Sequence, residues 1–410
     1  MEKELFSIAL GVVEPLYIEE IEFDTEAGEL HIRLDFERGG KFRCPGCGAE
    51  GQGVHDTEEK RWRHLNFFQY RCYLHLRTPR VDCEGCGPQL WVPPWGRAQS
   101  GFTLLFEAFV VALGREMPMA RIGELVGEHD TRIWRIVKWH VEKAKARKSY
   151  KGVRKVGVDE TSSRRGHNYV TVFADMESGE VVHVTEGKDA ATVGSFAAAL
   201  EAQGGDPRKV KEVAMDMSPA FKAGVAEHLP KAQVTYDKYH VIAMFNKVLD
   251  EVRRWEQKLN PLLKRTRYVW LKNPGNLTAS QREALDGLGS LNLRTAKVYQ
   301  MKLVLQDIYR SAGSPMLARE ALRKWLAWAV RSRLEAVKEF AKTLKSHMEG
   351  ILRYFTTRLT SGAMEGINSR IQEIKRRARG FRNIDNFITM IYLEASNLDL
   401  NTAPFFTHSK

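Results

Sequence analysis

The first clear periodicity along the chain is two: from Glu29 to Glu37, ELHIRLDFE alternates apolar and polar residues and predicts a strand with one buried face. Gly39-Gly40 turns the chain towards CPGCG. A mixed stretch with Trp62, His64, Tyr70 and Tyr73 leads to VDCEGCG, and Pro93-Pro94 closes this region. From Phe102 to about Arg147 the period becomes helical, with Phe102, Leu105, Phe106, Phe109 and Val110 on one apolar face. A short helix from Met119 to Val126 follows Pro118. Gly127 supplies a turn, and Asp130 is the expected N-cap of a third helix carrying Ile133, Ile136, Val137 and Val141. Two short helices joined by a glycine turn make a helix-turn-helix candidate.

At Gly152 the pattern turns extended. VRKVGVDET, HNYVTVFADM and EVVHVTEG predict three strands, with Glu177-Ser178-Gly179 turning between the last two. An alanine-rich helix spans Asp189 to Gln203, KVKEVAMDMS is a fourth strand, PAFKAGVAEHL a helix with Pro219 in its first turn, and AQVTYDKYH a fifth strand. Residues 244–358 read as helical, with a turn-rich break from Lys272 to Ser280.

Composition narrows the class. Hydrophobic residues make up 43% and charged residues 28% of 410, a soluble globular balance. No run approaches the roughly 18–20 apolar residues of a membrane span; Phe102 to Leu113 is broken by Glu107. The N-terminus carries neither a basic leader nor a cleavage site, so a cytoplasmic protein, with no membrane partner, is expected. Lys and Arg number 63 against 51 Asp and Glu, and the net charge of +12 points to a polyanionic partner, nucleic acid ahead of a membrane surface.

Two features fit that partner. Four of the five cysteines form two C-x-x-C pairs, Cys44 with Cys47 and Cys83 with Cys86, each followed by glycine (Gly48, Gly87). Four thiolates fill the coordination shell of tetrahedral Zn²⁺ and imply a structural metal. Cys72, inside a strand-like run, reads as a small core residue, and nothing in the spacing of His55, His64 or His75 demands a ligand. In the third helix Thr131, Arg132, Arg135 and Lys138 lie mostly opposite Ile133 and Val137, as side chains offered to a DNA groove and its phosphates would.

The strand and helix order from residue 152 resembles the ribonuclease H-like sheet. There Asp159 lies on the first strand and Asp216 ends the fourth, and these strands are neighbours. Carboxylates clustered in this way suit Mg²⁺ or Mn²⁺ and the metal-assisted chemistry of phosphoryl transfer. From Ser361 to Asn383, SGAMEGINSRIQEIKRRARGFRN places Ile367, Ile371, Ile374 and Ala378 on one helical face. Glu365, Asn368, Ser369, Gln372 and Arg376 take the other, so Glu365 is able to face the two aspartates. By periodicity alone, a solvated polar face explains that helix as well. Glu373, beside Lys375 and Arg377, reads as a partner in surface ion pairs.

The cysteine pairs, VGVDETSSRRGHNYVTVFAD, AMDMSPAFKAG, YDKYHV and MEGINSRIQEIKRRARGFRN together resemble the ISL-three family of bacterial insertion-sequence transposases over nearly the whole chain. The resemblance implies an acidic triad of Asp159, Asp216 and Glu365 holding Mg²⁺ or Mn²⁺, and a supporting role for Asp237 and His240. Phosphate contacts are expected from Arg376, Arg377 and Arg379. It also implies a multidomain α/β chain: a zinc-binding finger domain over residues 1–97, a helix-turn-helix domain over 98–150, and a ribonuclease H-like catalytic core over 151–243 and 359–410, interrupted by an all-helical insertion over 244–358. The implied partners are transposon-end and target DNA, bound by a homodimer or higher assembly. A nuclease of the same fold and a zinc-finger transcription regulator are the rival readings. The chain ends soon after Phe405-Phe406, so no additional domain is expected there.

Overall fold

The computed structural model describes residues 2–164, 166, 168–359 and 362–400. His167, Ser361 and Phe405-Phe406, which the sequence reading used, lie outside them. The chain divides into two compact units, residues 1–145 with the stretch from Leu398, and residues 146–397.

In the first unit, α1 (Glu2–Leu10) precedes β1 (Leu16–Asp24), β2 (Glu29–Phe36), β3 (Gly53–Arg63), β4 (Arg71–Cys83) and β5 (Gly87–Leu90). The sheet runs β1-β2-β4-β3, with β5 paired to β4. β2 shows the expected alternation, burying Leu30, Ile32, Leu34 and Phe36. It pairs in parallel with β4, Leu30 opposite Cys72 and Leu34 opposite Leu76. Cys72 is therefore a core residue, and burial pushes its thiol up to about 12. The sequence pattern leaves α1 and β1 unmarked.

Three helices follow: α2 (Leu104–Gly114), α3 (Met119–Val126) and α4 (Asp130–Arg147). The Thr103 side chain caps α2 by accepting from Phe106 N. The buried side of α2 holds Phe106, Val110 and Val111, whereas Leu105 and Phe109 are only half-buried, so the apolar face is rotated from the expected one. That rotation turns Glu107 fully inward. Its carboxylate takes hydrogen bonds from Arg97, Ser100 and His140 at 2.6–2.9 Å and ties the loop before α2 to α4. Burial opposes its ionisation, and these three donors outweigh it, holding the carboxyl below its usual range. Gly127 closes α3 at φ +72°. Asp130 is not the N-cap of α4: it already lies in the first turn, and the His129 ring accepts from Thr131 N at 3.3 Å instead.

The second unit opens with β6 (Lys155–Arg164), β7 (Asn168–Asp175), β8 (Glu180–Glu186), α5 (Ala190–Ala202), β9 (Glu212–Met215), α6 (Pro219–His228) and β10 (Gln233–Tyr236), in the order the sequence predicts. The sheet is β10-β9-β6-β7-β8, with β6 parallel to β9 and β9 parallel to β10. The fifth strand is shorter than expected. It ends at Tyr236, and α7 (Lys238–Glu256) begins at once, so the boundary placed between residues 243 and 244 falls inside a helix. Further helices follow: α8 (Arg267–Leu271), α9 (Ala279–Gly289), α10 (Arg294–Ser311), α11 (Pro315–Val330), α12 (Glu335–Ser346) and α13 (Met348–Thr357). The expected break from Lys272 to Ser280 separates α8 from α9.

The chain then returns to the sheet with α14 (Gly362–Arg377) and α15 (Ile384–Ala395). Alternation on β6 sends Val156 and Val158 into the core shared with Val193, Phe196 and Leu200 of α5. Gly157 and Asp159 take the other face. A Cβ on Gly157 would stand 2.7 Å from Met364 Cγ, so this glycine is what lets α14 lie against the strand.

Candidate functional site

The four cysteines converge. Cys44 and Cys47 flank a turn after β2, and Cys83 and Cys86 lie at the turn between β4 and β5. Their sulfurs all lie within 4.8 Å of one another, with Cys47 Sγ 3.5 Å from Cys83 Sγ. Sulfurs about 2.3 Å from a tetrahedral zinc stand about 3.8 Å apart, so the set fits that ion. The glycines serve the turns: Gly48 and Gly87 take φ of +79° and +68°, and a Cβ on Gly46 would crowd Cys86 Sγ at 3.2 Å. Amides of Cys47 and Gly46 point at Cys44 and draw its thiol down to about 7. Neither His64, on Thr103 at 2.9 Å, nor His75, on His31 at 2.9 Å, belongs to the set.

On α4, Ile133, Ile136, Val137 and Val141 are buried as expected. Thr131 and Arg135 are exposed and Lys138 is half-exposed. Arg132 is not a free reading residue. It pairs with Glu128 and lies over the Phe102 ring, 4.3 Å from its centroid.

In the second unit, Asp159 within β6 and Asp216 just past β9 sit level with each other, each two residues beyond the last paired positions of these neighbouring parallel strands, Gly157 and Ala214. Each is fixed locally: Asp159 Oδ1 accepts from Glu160 N at 2.8 Å, and Asp216 Oδ1 accepts from Ser218 N at 2.9 Å, in the turn that leads into α6. The polar face of α14 docks on this edge. Asn368 Nδ2 donates to Asp159 Oδ2 at 2.5 Å, and Lys375 Nζ donates to Thr161 Oγ1 at 2.9 Å and to Ser162 O at 2.6 Å. Glu365 is exposed, one turn before Asn368 and on the same side of α14. Among the described residues the three acids do not gather as closely as the four thiols do. The sequence had placed Asn368 on the polar face without giving it a task.

Asp237 stands at the N-terminal end of α7, 4% exposed, and its Oδ2 lies 3.1 Å from His240 Nδ1. This bond raises the His240 pKa; burial opposes it, and the charges of Asp159, Asp237 and Asp216 add to it. The same edge raises the pKa of Glu160, a residue the sequence reading passed over. Desolvation is its main cause, Lys188 opposes it, and Asp216 and Asp159 reinforce it. Negative potential therefore concentrates here, and the donors are carboxylate oxygens, which fits a hard divalent cation.

The three basic residues after this face differ. Arg376 and Arg379 are exposed, but Arg377 is engaged with Glu394 of α15. Glu373 is exposed, and its expected neighbours Lys375 and Arg377 are occupied by Thr161, Ser162 and Glu394 instead.

Known families match the chain in three consecutive stretches. Residues 40–86 match the zinc-finger of the transposases of IS204, IS1001, IS1096 and IS1165, residues 92–141 match the helix-turn-helix domain of transposase family ISL3, and residues 156–391 match a transposase domain. A zinc ribbon and a helix-turn-helix ahead of a transposase domain define a DNA-binding transposase. Among such proteins, this chain belongs to the ISL3 family of insertion-sequence transposases. It is 32% identical to the transposase for insertion sequence element IS1001 of Bordetella parapertussis, over 85% of this chain and 87% of the relative. It is 28% identical to the transposase for IS1557 of Mycobacterium tuberculosis, over 95% and 94%. No helix among the described residues is long and apolar enough to cross a membrane.

Proposed function

We propose that Asp159, Asp216 and Glu365 form the acidic triad of a transposase that cleaves phosphodiester bonds at the ends of its element and joins the freed 3′ ends to target DNA. The carrying observation is that Asp159 on β6 and Asp216 after β9 lie at the same level of two neighbouring parallel strands, while the polar face of α14 docks beside them through Asn368. Mg²⁺ or Mn²⁺ bound there would activate the attacking oxygen and stabilise the leaving one. The chain's own groups prepare the edge: the Glu160 and Ser218 amides and the Asn368 side chain orient the aspartates, and Asp237 holds His240 beside them.

In this reading the ribonuclease H-like core comprises residues 151–243 and 359–397, the stretch from Leu398 belonging to the first compact unit. The helices from α7 to α13 are its insertion, entered within α7. The finger domain (1–97) and the helix-turn-helix domain (98–150) deliver element ends, with Thr131, Arg135 and Lys138 facing DNA and Arg132 setting the pose of α4. Arg376 and Arg379 hold phosphates. Pairing of two ends calls for a dimer or higher assembly.

The test is Glu365→Gln, assayed on end DNA with Mg²⁺. Cleavage and joining should disappear while end binding persists, and Glu373→Gln should retain most activity. An active Glu365→Gln beside a folded but dead Glu373→Gln would move the third ligand two turns along α14.

A further inference from the structure

Beside the acidic edge, the first turns of α7 open onto a pocket of about 540 Å³ between α7, the segment after α8, and α10. That volume lies within the range of about 300–1,000 Å³ typical of small-molecule sites. Two of its lining groups are buried polar atoms with no hydrogen-bond partner among the described residues, Asn246 Oδ1 and Tyr309 Oη. Buried polar groups are rarely left this way, so each awaits a partner that enters the pocket. Asn276 adds an amide able to donate and accept, and Gln306 Nε2 donates to Asn273 Oδ1 at 2.8 Å, which leaves the Gln306 oxygen and the Asn273 amide N–H groups to a ligand. Tyr239 is 51% exposed at the rim, with Lys238 Nζ 5.0 Å from its ring centroid.

A planar ligand with donors and acceptors on its edge, a face to stack and a negative charge to neutralise matches this lining. We propose that the pocket receives one unpaired nucleotide of the DNA substrate, its base stacked on Tyr239 and read by Asn246 and the neighbouring amides, its phosphate near Lys238. This rests on the transposase reading of the acidic edge and extends it. Position argues for a nucleotide belonging to that DNA: Lys238 and Tyr239 line the pocket, and the next residue, His240, faces the acids. Tyr309 also feels the charge of Asp237, which adds to burial in raising its phenol pKa. A strand leaving the acidic edge along α7 therefore meets this pocket next.

The experiment titrates the full-length protein with a short single-stranded DNA oligonucleotide by fluorescence anisotropy, and separately with duplex end DNA. Tyr239→Ala, on an exposed side chain, should bind the single strand about tenfold more weakly and the duplex as before. Asn276→Ala should weaken the single strand in the same sense. A 5-iodouracil in the oligonucleotide should crosslink to Tyr239. Unchanged single-strand affinity in both variants, or a crosslink mapping outside α7, residues 271–276 and α10, overturns the proposal. Mg²⁺-dependent cleavage by the same wild-type preparation separates the two ideas: cleavage with variant-insensitive single-strand binding sinks the pocket alone. Variant-sensitive binding without cleavage supports the pocket and sinks the chemistry assigned to the edge.

Discussion

Gly157→Ala is the sharpest test of how α14 is held on the sheet. The added Cβ would meet Met176 Sδ at 2.4 Å and Met364 Cγ and Sδ at 2.7 Å. Met176 is half-buried and its sulfur is free to swing aside, but Met364 is 3% exposed and anchored on α14. Its Cγ stands about 0.7 Å short of ordinary contact distance, so side chain or helix must move by about that much. Overpacking on this scale costs about 1–3 kcal/mol, visible as a lower urea midpoint. The same shift displaces Asn368 from Asp159 and misplaces Glu365, and errors of order 1 Å in such sites cost on the order of tenfold to hundredfold in rate. The decisive comparison is a cycle with Met364→Ala. That change alone should cost about 2–5 kcal/mol, and the double variant should cost at least about 1 kcal/mol less than the two singles together, because each relieves the other. Strict additivity, or a Gly157→Ala protein with wild-type stability and cleavage, would refute this account of the contact.

Three further outcomes are expected. Elemental analysis should find one zinc per chain, and Cys44→Ser should release it and loosen the turns around it; a zinc-free wild type would remove the ribbon assignment. Arg135→Ala should reduce the salt slope of DNA binding by about one unit without lowering stability, whereas Arg132→Ala should cost about 1 kcal/mol through its Glu128 and Phe102 contacts; the opposite pattern would reverse their roles. In metal-free protein His240 should titrate above 6.5, so its stabilising contribution is complete below 6.5 and fades as pH rises through the raised value. Asp237→Asn should bring that titration down, as read by NMR, and an unmoved resonance would show that the Asp237 bond is not its cause.

Local chemistry made much of this legible. The bounds of α3 follow from Pro118 and Gly127, the alternation of β2 from its apolar residues, and the thiol cluster from paired spacing. Legibility failed where distant partners decide. Glu107 interrupts an apolar run, and only the fold supplies the Arg97, Ser100 and His140 groups that let it be buried. Asp237 stands where a strand pattern continues through YDKYH, yet Tyr236 is the last residue with a pairing partner in β9. The bond from Asn368 to Asp159 spans 209 positions, and Arg377 looked free until α15 brought Glu394 to it. No periodicity encodes such meetings.

The late return of the chain to its own sheet has a consequence during synthesis. Strand β10 ends at Tyr236, but the face carrying Gly157, Val172 and Val184 waits for α14 and for α15, whose Tyr392 hydroxyl accepts from Val184 N at 2.9 Å. Roughly 125 residues must be translated in between, about 6–25 s at ordinary ribosome speeds. Throughout that interval the nascent chain carries its ribbon and its helix-turn-helix without the helix that bears Glu365. On the proposed chemistry, a product terminated early would occupy element ends without cutting them and would act as a competitor of its own full-length form.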